Sequence, residues 1–204
     1  MRSVAVGALV VLCVAAGFLW GAALGYTESV PGDPNRFDPV GRLPEVARFA
    51  CDGCQLVEMD AHGVAPDGTV DLNADYEPMA RYEFEAPTGT TPTGPIGSGG
   101  PQVDHVRVEV GAPRMTGSSD NQGNVSSFYN FGMSRNAFPV SHPDGSQAID
   151  PPCVWTELWR HALAQGAPEN AVAWIRYDRN GYEFQISGTK HRHRFDGECQ
   201  PREK

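Results

Sequence analysis

Positive charge is scarce in this chain of 204 residues: 16 Lys+Arg stand against 25 Asp+Glu, for a formal net charge of −9. The deficit is local, with 7 basic and 18 acidic side chains over residues 26–150 but 8 and 7 over residues 151–204. An acidic surface repels polyanions and anionic lipid, so nucleic acid is excluded as a partner. Catalytic signatures are missing too. There is no HExxH helix, no nucleophile elbow and no phosphate-cradling glycine loop, and Gly97-Ser98-Gly99-Gly100 is linker composition with no strand and helix to frame it. Only five cysteines are present, and none forms a second close pair that would complete a zinc ribbon with Cys51 and Cys54. The chain reads as a non-enzyme, with no cofactor, no metal and no catalytic residue assigned.

What is present begins with an uncharged run from Ser3 to Tyr26 after a lone Arg2. A cleaved secretory signal would end near Ala23-Leu24-Gly25, whereas a retained signal-anchor would use the same run as a membrane-spanning helix with Trp20 and Tyr26 near the far interface. The retained anchor is the preferred reading. Either way the chain from Thr27 onward lies outside the cytoplasm, because Arg2 precedes the run while Glu28 and Asp33 follow it. Cys13 sits after Val10-Val11-Leu12, without the small residue a lipobox wants, and is read as packing.

The remaining chain divides into a linker (27–39), a first α+β unit (40–115), a loop region (116–152) and a second α+β unit (153–204). In the first unit Leu43, Val46, Ala47 and Ala50 recur at helical spacing, with Pro44 tolerable in the first turn. Val57, Met59 and Ala61 then alternate with polar neighbours, as do Tyr82 and Phe84, and Val106, Val108 and Val110. Gly and Pro concentrate over 87–101 and 116–152, which predicts long loops. In the second unit Trp155, Leu158, Trp159, Ala162 and Leu163 share one helical face, stopped by Gly166 and Pro168. Residues 171–178 and 182–187 flank Arg179-Asn180-Gly181, a hairpin signal, and a last strand runs over 190–195.

LPEVARFA-CDGC-QLVEMDA and TELWRHALAQGAPENAVAWIRYD share the order helix, turn, strand, and RYEFEA or GYEFQIS follows each. This is a degenerate internal repeat. The predicted fold class is α+β: an N-terminal membrane-targeting helix, then two small units, each a helix packed on an antiparallel sheet. The pattern resembles PepSY-like and cystatin-like units, and uncharacterised bacterial envelope proteins that pair an N-terminal anchor with two of them. The resemblance covers residues 43–110 and 153–199 and rests on element order. It implies binding of a peptide or envelope-protein partner, protease inhibition being known among relatives of both folds, and carries over no functional residue.

Four cysteines lie beyond the apolar run, an even set that in an oxidising compartment means two disulfides. Three connectivities are possible; Cys51 with Cys54 and Cys153 with Cys199 is favoured, because the second pair joins the start of the last helix to the end of the last strand. A redox CxxC sits at a helix N-terminus, whereas Cys51 follows the helical pattern and Cys54 precedes a strand. Asp71-Leu72-Asn73-Ala74-Asp75 opens like a calcium loop, but Tyr76 stands where glycine is needed and Tyr82 where glutamate is needed. Asn124-Val125-Ser126 matters only in a eukaryotic secretory host. His191 and His193 share a strand face with His161 on the neighbouring helix, yet Lys190, Arg192 and Arg194 alternate with them and oppose a cation. Lys190, His191, Arg192, His193 and Arg194 read first as a charge-protected edge strand, second as a partner-binding patch for an acidic surface. The expected function is an extracytoplasmic, disulfide-stapled binding or scaffold module. The alternative is a thiol-disulfide or metal-linked enzyme using Cys51 and Cys54.

Overall fold

Met79–Glu85 shows how the fold is built: Ala80, Tyr82 and Phe84 are buried while Arg81, Glu83 and Glu85 between them are only half-buried. Such alternation commits one face of a strand to a core and the other to water. The computed structural model describes residues 27–87, 105–119, 125–138 and 148–202. Its strands are Thr27–Ser29 (β1), Gln55–Val64 (β2), Met79–Glu85 (β3), His105–Val110 (β4), Arg114–Ser119 (β5), Val125–Asn130 (β6), Gly132–Phe138 (β7), Ala173–Asp178 (β8), Gly181–Gln185 (β9) and Arg192–Phe195 (β10). Two α-helices, Leu43–Ala50 (α1) and Trp155–Ala164 (α2), complete it.

Eight strands form one sheet in the order β1-β7-β4-β3-β2-β8-β9-β10, every neighbouring pair antiparallel. Both helices cover the same face. From α1 come Val46, Phe49 and Ala50, and from α2 come Trp155, Leu158, Trp159 and Ala162, all buried with Met59, Tyr82, Phe84, Val108, Ile175 and Phe184 in one core. Trp159 meets Phe184 edge to face, with ring centres 5.0 Å apart, the arrangement the aromatic quadrupole favours.

This overturns the expected α+β chain of two small units, each a helix on its own sheet, with long loops between. The described residues are mostly β, one continuous eight-stranded sheet carrying two short helices, with β5 and β6 as a separate two-stranded pair. The cause lies at β2 and β8. Met59 and Ala61 pair in register with Tyr177 and Ile175, so the two expected sheets are merged along a fully paired seam. Separate sheets would have left both strands with open edges. The order helix, strand, strand, strand does recur on the two sides of that seam, and the recurrence reaches side chains. Tyr82 donates its hydroxyl to Pro39 O (2.8 Å), just ahead of α1, and Tyr182 accepts from the Cys153 N–H (3.3 Å), just ahead of α2.

The 116–152 segment, expected to be loop, supplies β6, β7 and most of β5, and β7 pairs with β4 over six residues. The expected linker is also part of the fold. β1 pairs with β7, and Phe37, buried at 1% exposure, exchanges two backbone hydrogen bonds with Val70 (2.9 and 2.8 Å). Residues 1–26, where the membrane-targeting helix is expected, lie outside the described residues. Among the described residues no helix is long and apolar enough to cross a membrane.

Candidate functional site

The cysteines form Cys51–Cys54 and Cys153–Cys199 disulfides, with Cα atoms 5.4 and 6.0 Å apart. Cys51 caps the C-terminus of α1, its N–H bonded to Ala47 O (3.3 Å), and Gly53 turns the chain at φ 74° so that β2 starts at Gln55. A helix C-terminus carries partial negative charge and disfavours a thiolate, the opposite of what a redox CxxC uses. The second bridge clamps the residue before Val154 and α2 to the tail after β10. Two such bridges mark a protein of an oxidising, extracytoplasmic compartment. Cys153, Glu157 and Cys199 place one sulfur or oxygen each within 4.8 Å of one another, but the disulfide consumes both thiols, leaving no thiolate for a metal.

The Lys190 to Arg194 stretch does not form one patch. Strand alternation sends Arg192 and Arg194 to the open face of the sheet, where Arg194 pairs with Glu183 (2.7 Å), while His193 turns to the helix side. There the His193 ring lies 5.3 Å from His161 of α2, 5.9 Å from His191 and 6.3 Å from Phe195. The positive charge expected to repel a cation from these imidazoles therefore points to the other side of the sheet. β10 is an edge strand of the sheet, partly covered by the tail: Arg202 N–H donates to Arg194 O (2.8 Å) and Phe195 bridges to Pro201.

The face away from the helices carries a row of alternating charge across six strands, one side chain per strand: Glu109, Arg81, Asp60, Arg176, Glu183 and Arg194. Ion pairs run along it, Arg81 to Glu109 (3.6 Å) and to Asp60 (4.0 Å), and Arg194 to Glu183. A neighbouring row is more acidic, with Glu83, Glu58 and Asp178 in register. Burial raises the Glu58 carboxyl above its ordinary range, with Arg176 at 2.7 Å opposing the shift. Burial acts the same way on Glu83, but hydrogen bonds from His105 and Arg107 overcome it and hold that carboxyl below its ordinary range. Asp60, 5% exposed, is held by Arg81, by His62 (3.6 Å) and by the Trp174 indole N–H (3.4 Å). Charges neutralised strand by strand leave the first row little net field to attract a ligand.

A group of exposed large apolar side chains stands elsewhere. β5 and β6 continue the β4–β7 ribbon past a Gly111 N–H to Gly132 O hydrogen bond (2.8 Å) and, among the described residues, pair only with each other. On this two-stranded ribbon Met115 (63% exposed) is the register partner of Tyr129 (47%). The Tyr129 ring meets Phe131 (38% exposed) edge-on, centres 5.1 Å apart. Gly132, at φ 115° with Val30 packed where a Cβ would stand, lets the chain bend from β6 into β7. Sequence reading assigned this stretch to loop. The available signal was the clustering of Phe128, Tyr129 and Phe131 in a segment otherwise rich in Gly, Ser and Asn. Against known proteins the chain stands apart, for no family model matches it and neither a curated protein nor a solved structure shows significant similarity to it.

Proposed function

We propose that the protein is a non-catalytic binding module of the extracytoplasmic envelope, held at the membrane by its N-terminal apolar run, which captures an extended segment of a peptide or envelope protein on the β5–β6 ribbon. The observation that carries this reading is the contiguous exposure of Met115, Tyr129 and Phe131 at a ribbon that, among the described residues, pairs with no other strand. A two-stranded ribbon is marginal in water, and a third strand satisfies an open edge while covering apolar side chains. Met, Tyr and Phe are the residue types enriched at the centres of protein interfaces. The resemblance of the element order to PepSY-like and cystatin-like units points the same way.

The test is photo-crosslinking in the native envelope, with a photoreactive residue at position 115 or 129 of the full chain and a control at the exposed Asp71. One discrete adduct from 115 and 129 that is absent from 71, and lost on Phe131→Asp, supports capture on the ribbon. Adducts that are equally diffuse from all three positions would refute it.

A further inference from the structure

Beside the ion-paired row, the open face of the sheet carries a second row without a carboxylate. His62 of β2, Trp174 of β8, Gln185 of β9 and Arg192 of β10 are register partners in turn. Ala61, Ile175 and Phe184, their neighbours along three of these strands, are buried in the core, so alternation sends the row to the face away from the helices. Trp174 is half-buried; its indole N–H reaches Asp60 Oδ1 at 3.4 Å, and the His62 ring lies 6.1 Å away, tilted by 35°. Among the described residues no hydrogen bond or ion pair engages the side-chain amide of Gln185 or the guanidinium of Arg192. An aromatic plane, an unengaged amide and an unengaged guanidinium thus stand on three successive strands.

We propose that this row binds an extended, uncharged oligosaccharide of pyranose rings laid across the strands. A pyranose ring has an apolar face of C–H groups and a rim of hydroxyls. The first stacks on the negative face of an indole, and the second pairs with planar amide, carboxylate and guanidinium groups. Neighbouring strands lie about 4.8 Å apart, close to the repeat of an extended, equatorially linked pyranose chain, so successive rings meet Trp174, Gln185 and Arg192 in turn. β8 and β9 have a paired strand on each side, so neither accepts an added strand, and a ligand here is held by side chains on the face alone. That separates this site from the β5–β6 ribbon.

The electrostatics favour a ligand without charge. Asp60 and Arg176, next to Trp174 in the adjoining row, are already ion-paired, Asp60 to Arg81 (4.0 Å) and Arg176 to Glu58 (2.7 Å) and Asp178 (3.4 Å). Such pairs keep spare lone pairs and N–H groups for hydroxyls, in positions fixed before binding, while offering little net field. A polyanion would face Glu83, Glu58 and Asp178 in the acidic row, and a polycation would face Arg192 and Arg194 at the edge.

The experiment titrates cellohexaose and chitohexaose, two uncharged chains of this geometry, into the full chain in a detergent without a sugar headgroup, read by calorimetry and tryptophan emission. Trp155 and Trp159 are 2% and 0% exposed, so among the described tryptophans Trp174 is the one a ligand on the sheet can reach. The expected result is saturable binding of at least one hexaose with a blue shift in emission. Trp174→Ala weakens it at least about tenfold and removes the shift, Gln185→Ala and Arg192→Ala each weaken it about fivefold, the worth of one hydrogen bond, and Tyr129→Ala leaves it unchanged. Arg192 is exposed and makes no ion pair, so Arg192→Ala decides the matter if the urea midpoint shows that Trp174→Ala has unfolded. Binding of neither hexaose, affinity unchanged by Arg192→Ala, or tighter binding of the anionic hexagalacturonate would each overturn the proposal. So would a discrete protein adduct from a photoreactive residue at position 192 in the native envelope, which would make this face a protein-docking surface.

Discussion

The alkaline branch of the stability curve isolates two side chains. Tyr82 and Tyr182 are buried at 0% and 1% exposure, and burial pushes both hydroxyls well above their ordinary value of 10.0. In the unfolded chain both release their protons near pH 10, whereas the folded chain retains them. The stability they confer is therefore fully present below pH 10 and lost as pH rises above it. At pH 11 each unfolded tyrosine gains about 1.4 kcal/mol from ionising, so the folded protein loses about 2.8 kcal/mol relative to pH 8 through this pair. The competing background is small, because the chain has only two lysines, Lys190 and Lys204. Burial also raises Tyr177, stacked 4.2 Å from Tyr182, and the more exposed Tyr76, and each adds a smaller loss. Urea midpoints at pH 8, 10 and 11 measure the loss. Tyr82→Phe should lower stability by about 1 kcal/mol at pH 8, through the bond to Pro39 O, and cut the alkaline loss by about 1.4 kcal/mol. An alkaline slope equal in wild type and Tyr82→Phe would refute the reasoning, since it would mean the hydroxyl ionises as easily folded as unfolded.

Arg135 donates to the Phe49 and Ala50 carbonyls at the end of α1 (2.7 and 3.2 Å) and lies over the Phe49 ring, so Arg135→Ala should cost about 2 kcal/mol. In a thermal melt that is a fall of about 4–8 °C, with Arg135→Lys recovering less than half because an ammonium cannot reproduce the planar fork. Cys153→Ser combined with Cys199→Ser opens a bridge between residues 46 apart and should lower stability by about 3 kcal/mol, measured by urea unfolding without reductant.

Strands whose inward positions are all apolar were legible from sequence: Ala80, Tyr82 and Phe84 in β3, Val106, Val108 and Val110 in β4, and Ala173, Ile175 and Tyr177 in β8. Both helices were legible for the same reason, each presenting an unbroken apolar stripe. β7 was not, because its inward positions are Met133, Arg135 and Ala137, and an arginine there looks like surface until α1 supplies carbonyls for it. β1 was hidden by its length of three residues, too short for a period to register. The merger of two expected sheets into one depends on which edge meets which, and alternation along a strand carries no information about that. In the Lys190 to Arg194 stretch the alternation was legible but its consequence was not: Arg194 pairs with Glu183 on the open face while His193 meets His161 on the helix side.

β1 also sets how the molecule bears load. Among the described residues three register pairs, Thr27 with Ser134 through Ser29 with Gly132, join it to β7. Tension arriving through residues ahead of Thr27 falls on those pairs before it reaches β7, and β7 is secured to β4 by six. A pull from the N-terminal side should strip β1 away first and leave the remaining sheet standing, so the strand acts as a weak mechanical link. At the opposite end, Cys153–Cys199 is a covalent stop: force on the tail passes through it to the start of α2 and bypasses β10. One end of the protein is thus built to yield under force and the other to hold.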